Sequence, residues 1–126
     1  MTLFEALGGA STLRTLVDRF YQRMQDLPQF SALLALHPLD LDRPRERLYL
    51  YLIGWTGGPP LFVEAFGHPR LRARHLHVAI DSAGRDAWLD CMRGALDETV
   101  ADAALREHLF GALAPLADHM RNIGDA

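Results

Sequence analysis

Histidine combines two kinds of chemistry in one side chain, because imidazole is a common metal ligand and changes its charge near neutral pH. The six histidines are His37, His68, His75, His77, His108 and His119. No pair has the H-E-x-x-H spacing of a helical zinc site or the cysteine–histidine spacing of a zinc finger. His108 and His119 fall on the polar sides of the last predicted helix, so we expect both to be solvated.

His75 differs from the other histidines in its neighbours. Three arginines precede it and three apolar side chains follow it: Arg70, Arg72, Arg74, Leu76, Val78 and Ile80. An iron porphyrin requires a neutral imidazole for its iron, cations near its propionates and apolar contacts for its ring. The spacing alone does not decide the matter, because a lone histidine beside arginines is more often a surface residue.

Helices are predicted to position these residues. Capping residues and apolar spacing indicate the first two helices in the N-terminal part of the sequence. Thr2 and Glu5 have the spacing of a capping box, which predicts a short helix that ends at Gly8-Gly9. Ser11 is expected to cap the second helix. Its apolar residues recur at three- and four-residue steps, namely Leu13, Leu16, Val17, Phe20, Tyr21 and Met24.

The middle of the chain predicts two further helices with clear ends. A short helix starts at Pro28 and stops before Pro38, because a residue that precedes proline is disfavoured in helical conformation. Asp40 or Asp42 is expected to cap the next helix, which runs to Trp55 and is almost entirely apolar in its second half. A Gly-Gly-Pro-Pro run then terminates it.

The segment 61–80 is less regular than the rest of the sequence. Leu71 to His75 is long enough for about one and a half helical turns, and the remainder is predicted to be an ordered loop. Such a long irregular segment in a compact domain usually has a functional reason. Ser82 and Asp102 are expected to cap two longer helices that follow. No segment shows sustained period-two alternation, so the predicted fold class is all-α.

Composition limits the classes of partner. A length of 126 residues predicts one domain, 1–126, and the net charge of −3 gives no reason to expect a nucleic-acid partner. No apolar segment is long enough to span a membrane. Cys91 is the only cysteine, so no intrachain disulfide can form, and no signal peptide is evident. A cytoplasmic location is the expectation.

Several motifs taken together resemble group II truncated haemoglobins. They are GGPP at 57–60, GHPRLRARH at 67–75, RDAWLDCM at 85–92, Gly8-Gly9, RFY at 19–21 and ADHM at 117–120. The likeness extends over nearly the whole chain. It implies an all-α truncated globin fold, a two-over-two helical sandwich around haem b. It also implies that His75, rather than the nearby His77, is the fifth ligand of the iron.

The resemblance further implies a distal site that binds ligands. Tyr21 and Trp88 would point hydrogen-bond donors at the sixth position of the iron, and Leu48 would face it. His37 stands where many members have tyrosine or phenylalanine, and it is a candidate third donor. The alternative for Tyr21 and Trp88 is that both are core residues whose polar tips bond to any nearby partner.

The remaining cofactor contacts implied by the resemblance are basic and apolar. Arg47 and Arg74 are candidates for the propionates, and Phe62 replaces a tyrosine that often binds a propionate in the family. The apolar candidates are Leu48, Leu52, Leu71, Leu76 and Ile80. Cys91 is expected to be a packed, inert thiol.

Three functions follow as hypotheses. The first is a haem protein that binds dioxygen and other diatomic gases, in oxygen, nitric-oxide or peroxide chemistry. The alternative is a redox enzyme, a nitric-oxide dioxygenase or a peroxidase. It would need an external reductase, since no G-x-G-x-x-G motif for a flavin or nicotinamide occurs. The third is a helical interaction module without a cofactor.

Overall fold

The part of the chain that the computed structural model describes, residues 1–125, forms eight α-helices and no strand. The helices are α1 (Leu3–Leu7), α2 (Ala10–Asp26), α3 (Ser31–Ala35), α4 (Asp42–Trp55), α5 (Leu61–Phe66), α6 (Leu71–His75), α7 (Ser82–Thr99) and α8 (Ala103–His119). A 3₁₀ turn, Pro28–Phe30, leads directly into α3. The all-α prediction is therefore confirmed. No helix within 1–125 is both long and apolar enough to cross a membrane.

Helix α2 forms the centre of the core. It packs most extensively on α7 and also on α4, while α7 packs on α8. Every apolar residue predicted for the buried face of α2 is indeed buried. The four long helices thus form two pairs, α2 with α4 and α7 with α8, and the contact between α2 and α7 joins the pairs.

A tight turn of two glycines ends α1 and begins α2. Thr2 caps α1, its Oγ1 accepting from the amide of Glu5 at 3.1 Å, as the capping box predicts. Gly8 ends α1 with a φ of +104°, a left-handed conformation that glycine adopts without strain. Ser11 was wrong as the cap of α2, because Gly9 holds the N-cap position with a φ of +77°. A residue with a side chain would be strained at that φ, so the glycine pair sets the boundary.

Two other predicted caps differ in position by one residue. Asp81, not Ser82, caps α7, and its Oδ1 accepts from the amide of Gly84 at 2.8 Å. A carboxylate also complements the positive end of a helix dipole, which favours Asp81 over its neutral neighbour. Leu41 occupies the N-cap of α4, and the predicted Asp40 lies one residue before it, where its Oδ1 accepts from the amide of Asp42 at 2.9 Å. The cap of α8 by Asp102 is confirmed.

The irregular segment contains one more helix than the sequence predicts. Helix α6 has the predicted bounds, but α5 forms where a loop was expected. Six residues are too few to show helical periodicity in a sequence. Burial of Phe62, which packs against Phe66 with 5.0 Å between ring centroids, supplies the tertiary contact that stabilises α5.

Candidate functional site

His75 is the last residue of α6, and its ring is held in one tautomer. Its Nδ1 lies 2.6 Å from the carbonyl oxygen of Leu71. Because a carbonyl oxygen only accepts hydrogen bonds, Nδ1 carries the proton and the neutral ring keeps its lone pair on Nε2. A histidine that binds a metal commonly has this arrangement, with its other nitrogen donating to a backbone carbonyl. His77, by contrast, is exposed and forms no such bond within the described residues.

A single asparagine holds the chain that follows His75. The Nδ2 of Asn122 donates to the carbonyl oxygens of His75 at 3.1 Å and Val78 at 2.8 Å. Its Oδ1 accepts from the amide of Ile80 at 3.0 Å. Sequence reasoning missed Asn122, because one asparagine near a C-terminus belongs to no motif. It acts as a clamp that fixes the direction in which α6 presents His75.

Arg70 starts α6 in a strained conformation. Its φ of +44° makes it the only residue other than glycine with a positive φ in the described chain. Such conformations cost about 1 kcal/mol or more and often occur at functional sites. Arg74 stabilises the same turn, since its Nε donates to the carbonyl oxygen of Pro69 at 2.6 Å and its Nη2 to that of Phe66 at 3.2 Å. These bonds leave the Nη1 of Arg74 available for another acceptor.

Four aromatic rings cluster where α2, α7 and the end of α3 meet. The ring of Phe20 lies 5.0 Å from that of Tyr21 and 5.2 Å from that of Trp88. The ring of His37 lies 6.0 Å from that of Tyr21, nearly perpendicular to it. The structure therefore brings together Tyr21, Trp88 and His37, the three polar residues expected at the distal site.

Tyr21 and Trp88 keep their polar groups free. Within residues 1–125, neither the hydroxyl of Tyr21 nor Nε1 of Trp88 donates a hydrogen bond, and neither atom is sealed from open space. Burial raises the pKa of Tyr21, so its hydroxyl remains protonated and able to donate at neutral pH. Both side chains therefore carry a donor that no residue within 1–125 uses.

The ring of His37 is held by a backbone contact. Its Nδ1 lies 2.9 Å from the carbonyl oxygen of Leu33, which places the proton on Nδ1. Burial lowers the pKa of His37, the hydrogen bond to Leu33 partly opposes this, and the charge of His75 lowers the pKa a little more. The ring is therefore neutral at pH 7, with a lone pair on Nε2. At this pH Nε2 of His37 can accept a hydrogen bond, and the role of His37 as a third donor to a ligand stays a prediction.

Arg45 is a site residue that the sequence did not reveal. Its guanidinium carbon lies 5.9 Å from the ring centroid of Tyr21. Its Nε is buried without a hydrogen-bond partner in 1–125. The positive charge of Arg45 partly opposes the rise that burial causes in the pKa of Tyr21. A polar residue near the start of α4 looks like part of a solvated face, which is why the sequence gave no signal.

Arg47 and Arg74, the predicted propionate contacts, belong to one group of cations. Burial, followed by the charges of Arg43 and Arg74, lowers the pKa of Arg47. The guanidinium of Arg47 lies 4.7 Å from the ring centroid of Phe66. No carboxylate within residues 1–125 lies within 4.0 Å of Arg43, Arg47 or Arg74. Such an unneutralised cluster fits a group that carries two carboxylates.

The predicted apolar contacts differ in their exposure. Leu71 lines an open groove of about 400 Å³ along α6. Leu48 and Ile80 are half-buried, and Leu76 is 59% exposed. Leu52 is only 1% exposed and belongs to the core between the helices. Leu52 therefore borders no open space in this structure, and its contact with a cofactor stays a prediction.

These residues fit an iron porphyrin better than a protein-only metal site. Within the described chain, no group of three or more His, Cys, Asp or Glu side chains could hold a metal ion. A metal at His75 would thus need further ligands from a group such as a porphyrin. One oriented imidazole, a cluster of free cations, half-buried leucines and two free donors match the requirements of that group.

Comparison with known proteins gives one consistent family. The model of the bacterial-like globin family matches residues 2–122. The chain is 42% identical over 123 residues to the group 2 truncated hemoglobin YjbI of Bacillus subtilis (strain 168). The match covers 98% of this chain and 90% of that relative.

Solved structures agree with the family model. A group II 2-on-2 hemoglobin from the plant pathogen Agrobacterium tumefaciens superposes with a TM-score of 0.96 at 46% identity, covering 99% of this chain and 96% of that one. A truncated oxygen-avid haemoglobin from Bacillus subtilis superposes with a TM-score of 0.87 at 40% identity, covering 97% of this chain and 100% of that one. The two helix pairs described above are therefore a 2-on-2 arrangement.

Proposed function

Since this chain belongs to the bacterial-like globin family, as a group II truncated haemoglobin, we propose that it holds haem b through His75 and binds dioxygen and other diatomic gases. The family itself implies that the chain binds haem and a diatomic gas. When bound, haem would supply an iron that, in its ferrous state, can bind a diatomic gas. The chain supplies the fifth ligand, the cations for the propionates and the donors near the gas.

The observation that carries the proposal is the hydrogen bond from Nδ1 of His75 to the carbonyl oxygen of Leu71. It fixes the tautomer in which Nε2 holds a lone pair, and it makes that nitrogen a better ligand. Asn122 holds the backbone on the far side of His75. The imidazole is thus oriented before any cofactor binds, which lowers the entropy that binding must overcome.

The two donors of Tyr21 and Trp88 favour dioxygen as the gas that this chain would bind most firmly. The hydroxyl of Tyr21 and Nε1 of Trp88 would each donate to a gas that carries partial negative charge. Such hydrogen bonds contribute on the order of 1.5–3 kcal/mol each. Two of them would slow release of the gas by orders of magnitude, which favours firm binding over easy delivery. The oxygen-avid relative with the same fold supports this part of the proposal.

The absorption spectrum of the purified protein, with haem added, tests the proposal first. We expect a Soret band at one haem per chain, and its absence would favour a helical module without a cofactor. Resonance Raman spectra of the ferrous protein then identify the ligand. His75→Ala should abolish the iron–imidazole stretch, whereas the matched control His77→Ala should retain it. The reverse pattern would assign the iron to His77.

Reduction of the iron needs a source outside this chain. No G-x-G-x-x-G motif for a flavin or nicotinamide occurs in the sequence. The only thiol, Cys91, is buried, and burial raises its pKa to about 12. We propose that any cycle that leaves the iron ferric depends on an external one-electron donor.

A further inference from the structure

The charges of this chain are distributed unevenly along it. Residues 43–74 contain six arginines and two carboxylates, a net charge of +4. The rest of the chain contains seven arginines and fourteen carboxylates, a net charge of −7. A chain that is acidic overall therefore contains one basic stretch, which follows directly after Asp40 and Asp42. Of the two carboxylates in that region, Glu46 points towards α2 and pairs with Arg14 at 2.9 Å.

The arginines of this region also differ from the others in their partners. Within residues 1–125, six of the seven arginines outside it form ion pairs, whereas none of the six inside it has a carboxylate within 4.0 Å. Arg43, Arg47 and Arg74 lie close enough for their charges to interact. Arg70 is exposed and lies one helical turn before Arg74. Two propionates would neutralise two of these four charges and leave two free.

Exposed apolar side chains lie among the same arginines. Val63 is 48% exposed and Phe66 is 39% exposed, three residues apart on α5, and Arg47 packs on the ring of Phe66. We call the surface formed by Arg43, Arg47, Arg70, Arg74, Val63 and Phe66 the arginine face. A small apolar centre surrounded by charge is typical of a protein–protein interface.

We propose that the arginine face docks an acidic one-electron carrier protein that reduces the iron. The inference rests on the proposed function, because Arg47 and Arg74 would mark the propionate edge of the haem and thus a short path for an electron. One electron leaves the reduced carrier and converts Fe(III) to Fe(II), and no bond forms or breaks. Charge complementarity selects the partner, since the basic region keeps a net charge of +2 after two propionates are counted against its +4, and it attracts an acidic surface that the rest of the chain repels.

A second macromolecule, an anionic membrane, would be attracted to the same charges. It is the weaker occupant because the patch holds few apolar side chains and the rest of the chain, at −7, would be repelled by the membrane. A basic patch that binds membranes firmly usually combines more cations with a longer apolar face. Vesicle binding is therefore included as a competing outcome of the test.

The test measures reduction of the ferric, haem-loaded protein by a reduced plant-type [2Fe–2S] ferredoxin, chosen as an acidic one-electron carrier. Stopped-flow rates should fall about tenfold between roughly 20 mM and about 500 mM ionic strength, because the screening length shrinks several-fold. Arg43→Gln and Arg70→Asn should each slow the reaction at low salt by about two- to fivefold. Asparagine is chosen at position 70 because it tolerates the positive φ. Dithionite, a small reductant, should reduce Arg70→Asn and the parent protein at the same rate.

Arg19→Gln is the matched control, since Arg19 is exposed, forms no ion pair within the described residues, and lies on α2 and not among the arginines of residues 43–74. It should leave the ferredoxin rate unchanged.

Calorimetry with oxidised ferredoxin provides a readout without electron transfer, and the face variants should weaken binding in the same order. An equal effect of Arg19→Gln, or rates independent of salt, would overturn the proposal. A different result would assign the face to a membrane. In that case the parent protein would bind vesicles rich in phosphatidylserine, the face variants would not, and the ferredoxin rates of these variants would stay unchanged. Failure of the proposed function would be visible separately, as a missing Soret band.

Discussion

At the scale of single residues, Tyr21 and Trp88 should determine how firmly dioxygen is held. Dioxygen on ferrous haem carries partial negative charge, whereas carbon monoxide is nearly apolar, so loss of a donor should affect dioxygen far more. For Tyr21→Phe or Trp88→Phe, a loss of about 1.5 kcal/mol corresponds to a little over tenfold in the rate of dioxygen release. Stopped-flow release rates of both gases measure the difference.

Carbon monoxide release is the internal control for these variants. If Tyr21 and Trp88 merely fill the core beside Phe20, both release rates would change together and only stability would fall. In the double variant the effects should depart from the product of the two single effects, because donors that share one ligand are coupled. Equal changes for the two gases would refute the role of the donors.

His37 should make gas binding depend on pH below the usual range of histidine. Burial lowers its pKa, so the imidazole gains its second proton only below about 6.5, the ordinary value. Protonation converts Nε2 from an acceptor into a donor, so dioxygen release should become slower as pH falls through this pKa. The same titration of His37→Phe is the control. A transition that persists in that variant, or one that lies above pH 6.5, would assign the pH effect to another group.

At the scale of elements, Asn122 should decide how well α6 and the following segment hold His75. Its side chain makes three hydrogen bonds to the backbone of 75–80, each worth about 1 kcal/mol. We expect Asn122→Ala to release haem to excess apomyoglobin at least tenfold faster than the parent protein. Ser82→Ala, a substitution near the same segment, provides the comparison. If Asn122→Ala only lowers the unfolding free energy and leaves haem release unchanged, Asn122 supports the fold and not the ligand.

Some helices and site residues could be predicted from the sequence, and others could not. Long amphipathic helices such as α2 were predictable, because six apolar residues at helical spacing identify a buried helix face. Helix α5 was not, since its stability comes from Phe62 packing in the folded protein. Arg45 and Asn122 were not predictable for a related reason. Their roles depend on Tyr21 and on the 75–80 backbone, which are distant in sequence and become neighbours only through the fold.

At the scale of the whole molecule, the reactivity of Cys91 measures how often the contact between the two helix pairs opens. The thiol is fully buried on α7, and it donates to the carbonyl oxygen of Phe20 on α2 at 3.2 Å. Burial raises its pKa to about 12, so almost no reactive thiolate exists in the folded state at pH 8. Alkylation of Cys91 should therefore require separation of α2 from α7.

Haem should slow that alkylation, because it binds the folded chain and stabilises it. With free haem at about 100 times its dissociation constant, the stabilisation is about 2.7 kcal/mol, which lowers the open population about 100-fold. When opening is fast compared with labelling, the rate of reaction with iodoacetamide tracks that population. We therefore expect about 100-fold slower labelling of the haem-loaded protein than of the apoprotein. His75→Ala should reduce this difference, while His77→Ala should preserve it. Equal labelling rates with and without haem would show that the α2–α7 contact opens locally, independently of the site that His75 anchors.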